Sequence, residues 1–163
     1  LKPFFMQMYF ERRGQGKPLL LIHGIGGSWK SWNSIIDGLA RHREVLAVDL
    51  PGHGKTPALS GEVSIRTLAD AVTLFLQENN ITGIDAVGSS MSARLVLELV
   101  RRGNVLGAVV SLDPGGFWKG WEIPFFYNSI AASIRLVRLL QPVMPGICKS
   151  ALGRSLLLLQ FSL

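Results

Sequence analysis

The sequence holds a single cysteine, Cys148, in 163 residues. That excludes an intramolecular disulfide framework and a cysteine-rich zinc module, and it suits a reducing, cytoplasmic compartment. No run approaches the roughly 18 apolar residues that a membrane-spanning helix needs, so the chain reads as soluble. Residues 2–10 are too short and too interrupted by polar side chains to form a signal-peptide core. The chain opens on Leu1 rather than Met, which leaves its natural start open. Internal repeats and low-complexity linkers are missing, and glycine and proline follow no short period, which excludes a collagen-like fibre.

Acidic residues stop at Glu122; beyond it come Arg135, Arg138, Lys149 and Arg154 without one carboxylate side chain. Such a basic, apolar segment suits weak contact with an anionic membrane surface or an acidic partner. A solvated helix face accounts for the same charges. Basic residues nowhere form a dense run interleaved with aromatics, so nucleic acid is excluded as a partner. What is present is apolar: 48% of residues are hydrophobic against 17% charged, and mean hydropathy is +0.31. This is one domain's worth of chain with enough apolar surface for a core, and it is not a disordered polymer.

Patterning sets the order of elements. Met6–Arg12 alternates as an opening strand does, and Gly14-Gln15-Gly16 is a turn. Leu19 to His23 is a continuous apolar run ending in glycines, the mark of a strand buried on both faces. Trp29–Arg41 carries Trp32, Ile35, Ile36 and Leu39 at helical spacing. Val45–Leu50 predicts a second buried strand, and Ser64 caps a helix with Ile65, Leu68, Ala69, Val72 and Leu76 on one face. Ile84–Val87, Ser92–Arg102 and Val105–Leu112 continue as strand, helix, strand. Short connections between alternating strands and helices predict an α/β fold with a mostly parallel, doubly wound sheet. After Asp113-Pro114-Gly115-Gly116 come the aromatics Phe117, Trp118, Trp121, Phe125, Phe126 and Tyr127. An amphipathic helix over Ile130–Leu140 follows, with Pro142 and Pro145 beyond it. Leu156–Leu159 reads as a helix without its packing partner.

Two segments carry chemistry. Gly88-Ser89-Ser90-Met91-Ser92 joins a buried strand to a helix through a small-x-Ser-x-small pattern. A turn that tight forces its central residue into strained angles and lifts the side chain above the sheet. A serine-rich helix cap is the plainer account of the same residues. His23-Gly24-Ile25-Gly26-Gly27 closes the first buried strand, and its backbone N–H groups can point into the top of the sheet, where an oxyanion would form. A plain tight turn is the alternative. Gly24-x-Gly26 lacks the third glycine of a dinucleotide fingerprint, and no Walker lysine follows.

Leu21 to Ser28, Val48-Asp49-Leu50-Pro51-Gly52-His53-Gly54 and Val87 to Ser92, in this order and spacing, resemble the α/β-hydrolase superfamily over about residues 6–116. Ser92 departs from the family's second glycine. The resemblance implies Ser90 as nucleophile and the backbone N–H groups of Ile25 and Met91 as the oxyanion hole. It makes His23 and Gly24 supporting residues and His53 part of a loop rather than a base. A serine nucleophile needs a general base, normally histidine, and this family supplies it after the serine and the acid. His23, His42 and His53 all precede Ser90. Of the later carboxylates, Asp113 stands at a strand end where some members draw the acid, although capping its own turn explains it too.

The expectation is therefore the N-terminal half of a hydrolase core over residues 1–116 and a partial helical cap over 117–163, the chain being truncated before the catalytic histidine. The activity implied is that of an esterase-like serine hydrolase acting on a small apolar carboxylic ester or related acyl substrate, without cofactor or metal. Two other readings share these residues: a non-catalytic truncated domain binding a hydrophobic ligand or partner, and a cofactor-free oxidase or C–C bond hydrolase. Oligomeric state is left open.

Overall fold

The computed structural model describes residues 7–116 and 118–159; Met6 and Phe117, which the sequence reading used, lie outside the described residues. The chain divides into two units, residues 1–117 and 118–163.

In the first unit the strands are β1 (Phe10–Arg13), β2 (Pro18–Ile22), β3 (Glu44–Val48), β4 (Ile84–Ser89) and β5 (Leu106–Leu112). They form one sheet in the order β1-β3-β2-β4-β5. All neighbours are parallel except β1, which runs antiparallel to β3. The helices of this unit are α1 (Ile36–Ala40), α2 (Ile65–Glu78) and α3 (Met91–Arg102).

Side-chain alternation explains why the central strands are apolar throughout. Leu20, Ile22, Leu46, Val48, Ile84 and Ala86 face one way, against Leu68, Val72, Phe75 and Leu76 of α2 and Leu95, Val96 and Leu99 of α3. Leu19, Leu21, Val45 and Ala47 face the other, against Trp32 and Ile36. A strand with apolar residues on both sides needs helices on both sides, the doubly wound arrangement.

Local differences from the sequence reading have local causes. The opening strand begins at Phe10 rather than Met6. The single helix expected over Trp29–Arg41 is two pieces, a 3₁₀ turn over Trp29–Trp32 and α1. Asn33 and Ser34 mark the break, residues whose side chains compete for backbone hydrogen bonds in a helix interior. The cap at Ser64 is present and reciprocal: its hydroxyl accepts from the Thr67 N–H, and the Thr67 hydroxyl accepts from the Ser64 N–H.

The second unit contains α4 (Glu122–Leu140), α5 (Met144–Lys149) and α6 (Ala151–Leu159). α4 starts one aromatic stretch earlier than the Ile130 expected. Pro124 sits in its first turn, where a missing N–H costs nothing. Trp118 stacks on Phe126 with ring centroids 3.7 Å apart, and Trp121 meets Phe125 edge-on at 5.9 Å. Among the described residues no helix is long and apolar enough to cross a membrane.

At the N-terminal edge of the parallel strands, Asp85 gathers four elements. Its carboxylate accepts from Lys17 Nζ and Arg43 Nη2, each at 2.8 Å, and from the Ala108 N–H at 3.0 Å. Arg43 also donates to the carbonyls of Lys17 and Pro18. Hydrogen bonds from Lys17 and then Arg43 hold the Asp85 carboxyl at about 2, below its ordinary 3.8. The folded state thus binds this proton less tightly than the unfolded chain, so the stabilisation is present above about pH 4 and is lost as pH falls toward 2. Urea midpoints measured between pH 5 and pH 2 should therefore drop, and Asp85→Asn should flatten that drop. An unchanged slope in the variant would show that other carboxylates carry it.

Candidate active site

β2, β3 and β4 end at one edge of the sheet, and each hands its chain to a loop there. β4 passes through Ser90 into α3 with no intervening loop. Ser90 has φ 55 and ψ −115, a conformation that non-glycine residues avoid at a cost of order 1–3 kcal/mol. Its own N–H donates to the Leu112 carbonyl at the end of β5, 2.9 Å away. No side chain caps the first turn of α3, so the N–H groups beginning with Met91 present the positive end of the helix at this edge.

The turn is possible because Gly88 has no side chain: a Cβ there would overlap the Ser92 carbonyl. Gly24, from the loop after β2, closes against the turn from the other side. A Cβ on Gly24 would lie 3.1 Å from Ser90 Cβ, 3.3 Å from the Ser89 carbonyl oxygen and 3.6 Å from Ser90 Oγ. The structure thus brings Ser90 and Met91 together with the His23-Gly24-Ile25 loop. A cavity of about 220 Å³ opens beside them. Its walls come from His23, Gly24, Ile25 and Gly27 on one loop, from Ser31 and Trp32, and from Ser89. Sequence reading missed Ser31, Trp32 and Ser89, because no motif spacing marks a cavity wall.

His23 is wholly buried. Its Nε2 accepts the Leu50 backbone N–H at 3.1 Å, so that nitrogen carries no proton. Nδ1 then bears the hydrogen and donates to the Gly24 carbonyl at 2.7 Å. Burial first, then the neighbouring His53, pushes the His23 imidazole below its usual range, against the Gly24 hydrogen bond. With both nitrogens engaged, His23 holds the loop and has no lone pair left for a serine proton. His53 lies with its ring 5.0 Å from that of His23 and its Nδ1 3.1 Å from the Pro51 carbonyl. His42 precedes β3 and so belongs to the opposite edge of the sheet.

Asp113 follows β5 directly, is exposed, and has φ 51. It shares the edge with Ser90, whose N–H bonds its neighbour Leu112. A second carboxylate, Asp49, is buried and wholly engaged in shaping loops. Its Oδ1 accepts the Trp29 N–H at 2.6 Å and its Oδ2 the Lys55 N–H at 2.9 Å. Among the described residues no group of three or more His, Cys, Asp or Glu could hold a metal ion.

A sheet of this order with a strained serine between its fourth strand and the following helix defines the nucleophile-elbow class of α/β proteins. The family model described as alpha/beta hydrolase fold matches residues 17–132, and the chain belongs to that family. It is 32% identical over 108 residues to (E)-2-((N-methylformamido)methylene)succinate hydrolase of Acinetobacter baylyi, covering 62% of this chain and 41% of that protein. It is 38% identical over 109 residues to the pimeloyl-[acyl-carrier protein] methyl ester esterase of Aeromonas hydrophila, covering 65% and 42%. Among solved structures, an esterase from Thermogutta terrifontis superposes with a TM-score of 0.70 at 21% identity, over 89% of this chain and 55% of that one, a likeness of fold. The chain thus spans about two fifths of the curated relatives it matches.

Proposed function

We propose that the whole protein is a serine hydrolase acting on a carboxylic ester or related acyl compound, with Ser90 as nucleophile. The observation that carries this reading is the backbone of Ser90: a φ of 55 between strand and helix, held against Gly24. In the proposed reaction the Ser90 oxygen bonds to the acyl carbon, and the backbone N–H groups of Ile25 and Met91 receive the negative charge on the acyl oxygen. The general base takes the Ser90 hydroxyl proton and passes it to the alkoxide as the ester C–O bond breaks. Water, deprotonated by the same base, then cleaves the acyl-Ser90 ester to release the acid. We assign that base to a histidine outside these 163 residues, because all three histidines here precede Ser90 and His23 is committed to its loop. Asp113 is the candidate to orient it, and the acyl group is proposed to be small and apolar. The relatives named as an esterase and a hydrolase support the acyl chemistry. The single, exposed Cys148 supports a cytoplasmic location.

The test is covalent. A fluorophosphonate should label the full-length protein at Ser90 with one equivalent, read by peptide mass spectrometry, and Ser90→Ala should abolish the label. Full-length protein that stays unlabelled would favour the second reading, a non-catalytic domain that binds a hydrophobic ligand or partner, which the engagement of both His23 nitrogens supports.

A further inference from the structure

Ser92 occupies the position at which the elbow pattern ordinarily has a second glycine, and the structure shows what its hydroxyl does. Ser92 is the second residue of α3 and is wholly buried. Its Oγ donates to the His23 carbonyl oxygen at 2.5 Å, across 69 positions of sequence. The hydroxyl therefore ties the first turn of α3 to the last peptide before Gly24. On one side of this bond lie Ser90 and Met91. On the other lie Gly24, which packs on Ser90, and Ile25.

A buried hydroxyl that binds a carbonyl of its own helix would do nothing for the loop; this one reaches another strand. The His23 peptide is also held by its own side chain, through Nδ1 to the Gly24 carbonyl and Nε2 to the Leu50 N–H. With Ser92 added, the loop is fixed at His23 from the β3 side and from the α3 side. Two donors that must meet one oxygen gain from such a brace, because an oxyanion hole acts only when both N–H groups are already in place.

We propose that Ser92 is a positioning residue, whose hydroxyl sets the separation between the Ile25 and Met91 N–H groups through the His23 carbonyl. This rests on the reading of Ser90 as nucleophile. Losing the bond loosens the loop without removing either donor. The effect falls on the transition state, where the oxyanion exists, and spares ground-state binding.

The experiment uses the full-length protein, Ser92→Ala and Ser92→Gly, with short-chain aryl esters. Each rate is expressed per active site titrated with a fluorophosphonate, so that misfolded protein is not counted. The expected result is a fall in kcat of about 10- to 100-fold with KM unchanged, the scale on which small misplacements act. The affinity for a trifluoromethyl ketone, which forms the oxyanion, should fall by the same factor. A kcat per titrated site equal to that of the unsubstituted protein overturns the proposal, as does a loss confined to KM. If Ser90 in the unsubstituted protein takes no label, the nucleophile reading falls and Ser92 with it. If Ser90 is labelled and the variants match it in kcat, only the role of Ser92 falls.

Discussion

Ser90→Ala in the full-length protein is expected to lower kcat for a short-chain aryl ester by at least about 10⁴-fold, the scale of losing a triad nucleophile. The loss is that large because no other group stands in the place of Ser90 Oγ, the side chain that the strained turn presents next to Gly24. A chain of these 163 residues gives a sharper version of the test. It holds the proposed nucleophile and both proposed oxyanion donors but no histidine after His53. It should therefore hydrolyse the ester no faster than its own Ser90→Ala variant. His23 cannot replace the missing base, since Leu50 and Gly24 occupy its two nitrogens and burial lowers its affinity for a proton. Asp113 is no substitute either: a carboxylate is a weak base toward a serine hydroxyl. Steady-state turnover of the two short chains side by side decides the point. Strong Ser90-dependent turnover by the short chain would overturn this and point to His53 as base, the histidine at this edge whose Nε2 makes no hydrogen bond among the described residues.

Gly88→Ala should be strongly destabilising. Its Cβ would overlap the backbone carbonyl of Ser92, and no side-chain rotation relieves a clash with backbone. Strand and helix must part, at a cost of about 3 kcal/mol, the upper range for overpacking. For a chain of this length that lowers Tm by roughly 10 °C. Gly38→Ala in α1 is the control, because a Cβ there meets nothing within 4 Å. It should be neutral or slightly stabilising. Thermal unfolding followed by circular dichroism compares the two. Equal Tm values would show that the elbow is looser than its close contacts imply.

Much of the fold was legible because it rests on local periodicity. The continuous apolar run at Leu19–Ile22 demands cover on both faces wherever it lies, and Ser64 caps a helix by reaching only three residues ahead. The elbow was legible for the same reason: Gly88, Ser90 and the helix after them are neighbours in sequence. Where reading erred, it erred at boundaries. Asn33 and Ser34 split a helix that the apolar spacing alone would have kept whole, and α4 begins at Glu122, ahead of the Ile130 that the spacing gave.

The sequence by itself determined the alternation of strands and helices, the strained serine and the family, because each depends on residues within a few positions of one another. Only the tertiary structure decided that His23 is spent on Leu50 and Gly24, that Asp85 clamps four elements at one edge, and that Ser92 braces the His23 carbonyl. His23 and Leu50 follow the neighbouring strands β2 and β3, Lys17 leads into β2 and Asp85 lies in its neighbour β4, and Arg43 reaches Asp85 across β2. Which strand ends meet is set by the packing of the whole sheet, and no short-range pattern records it.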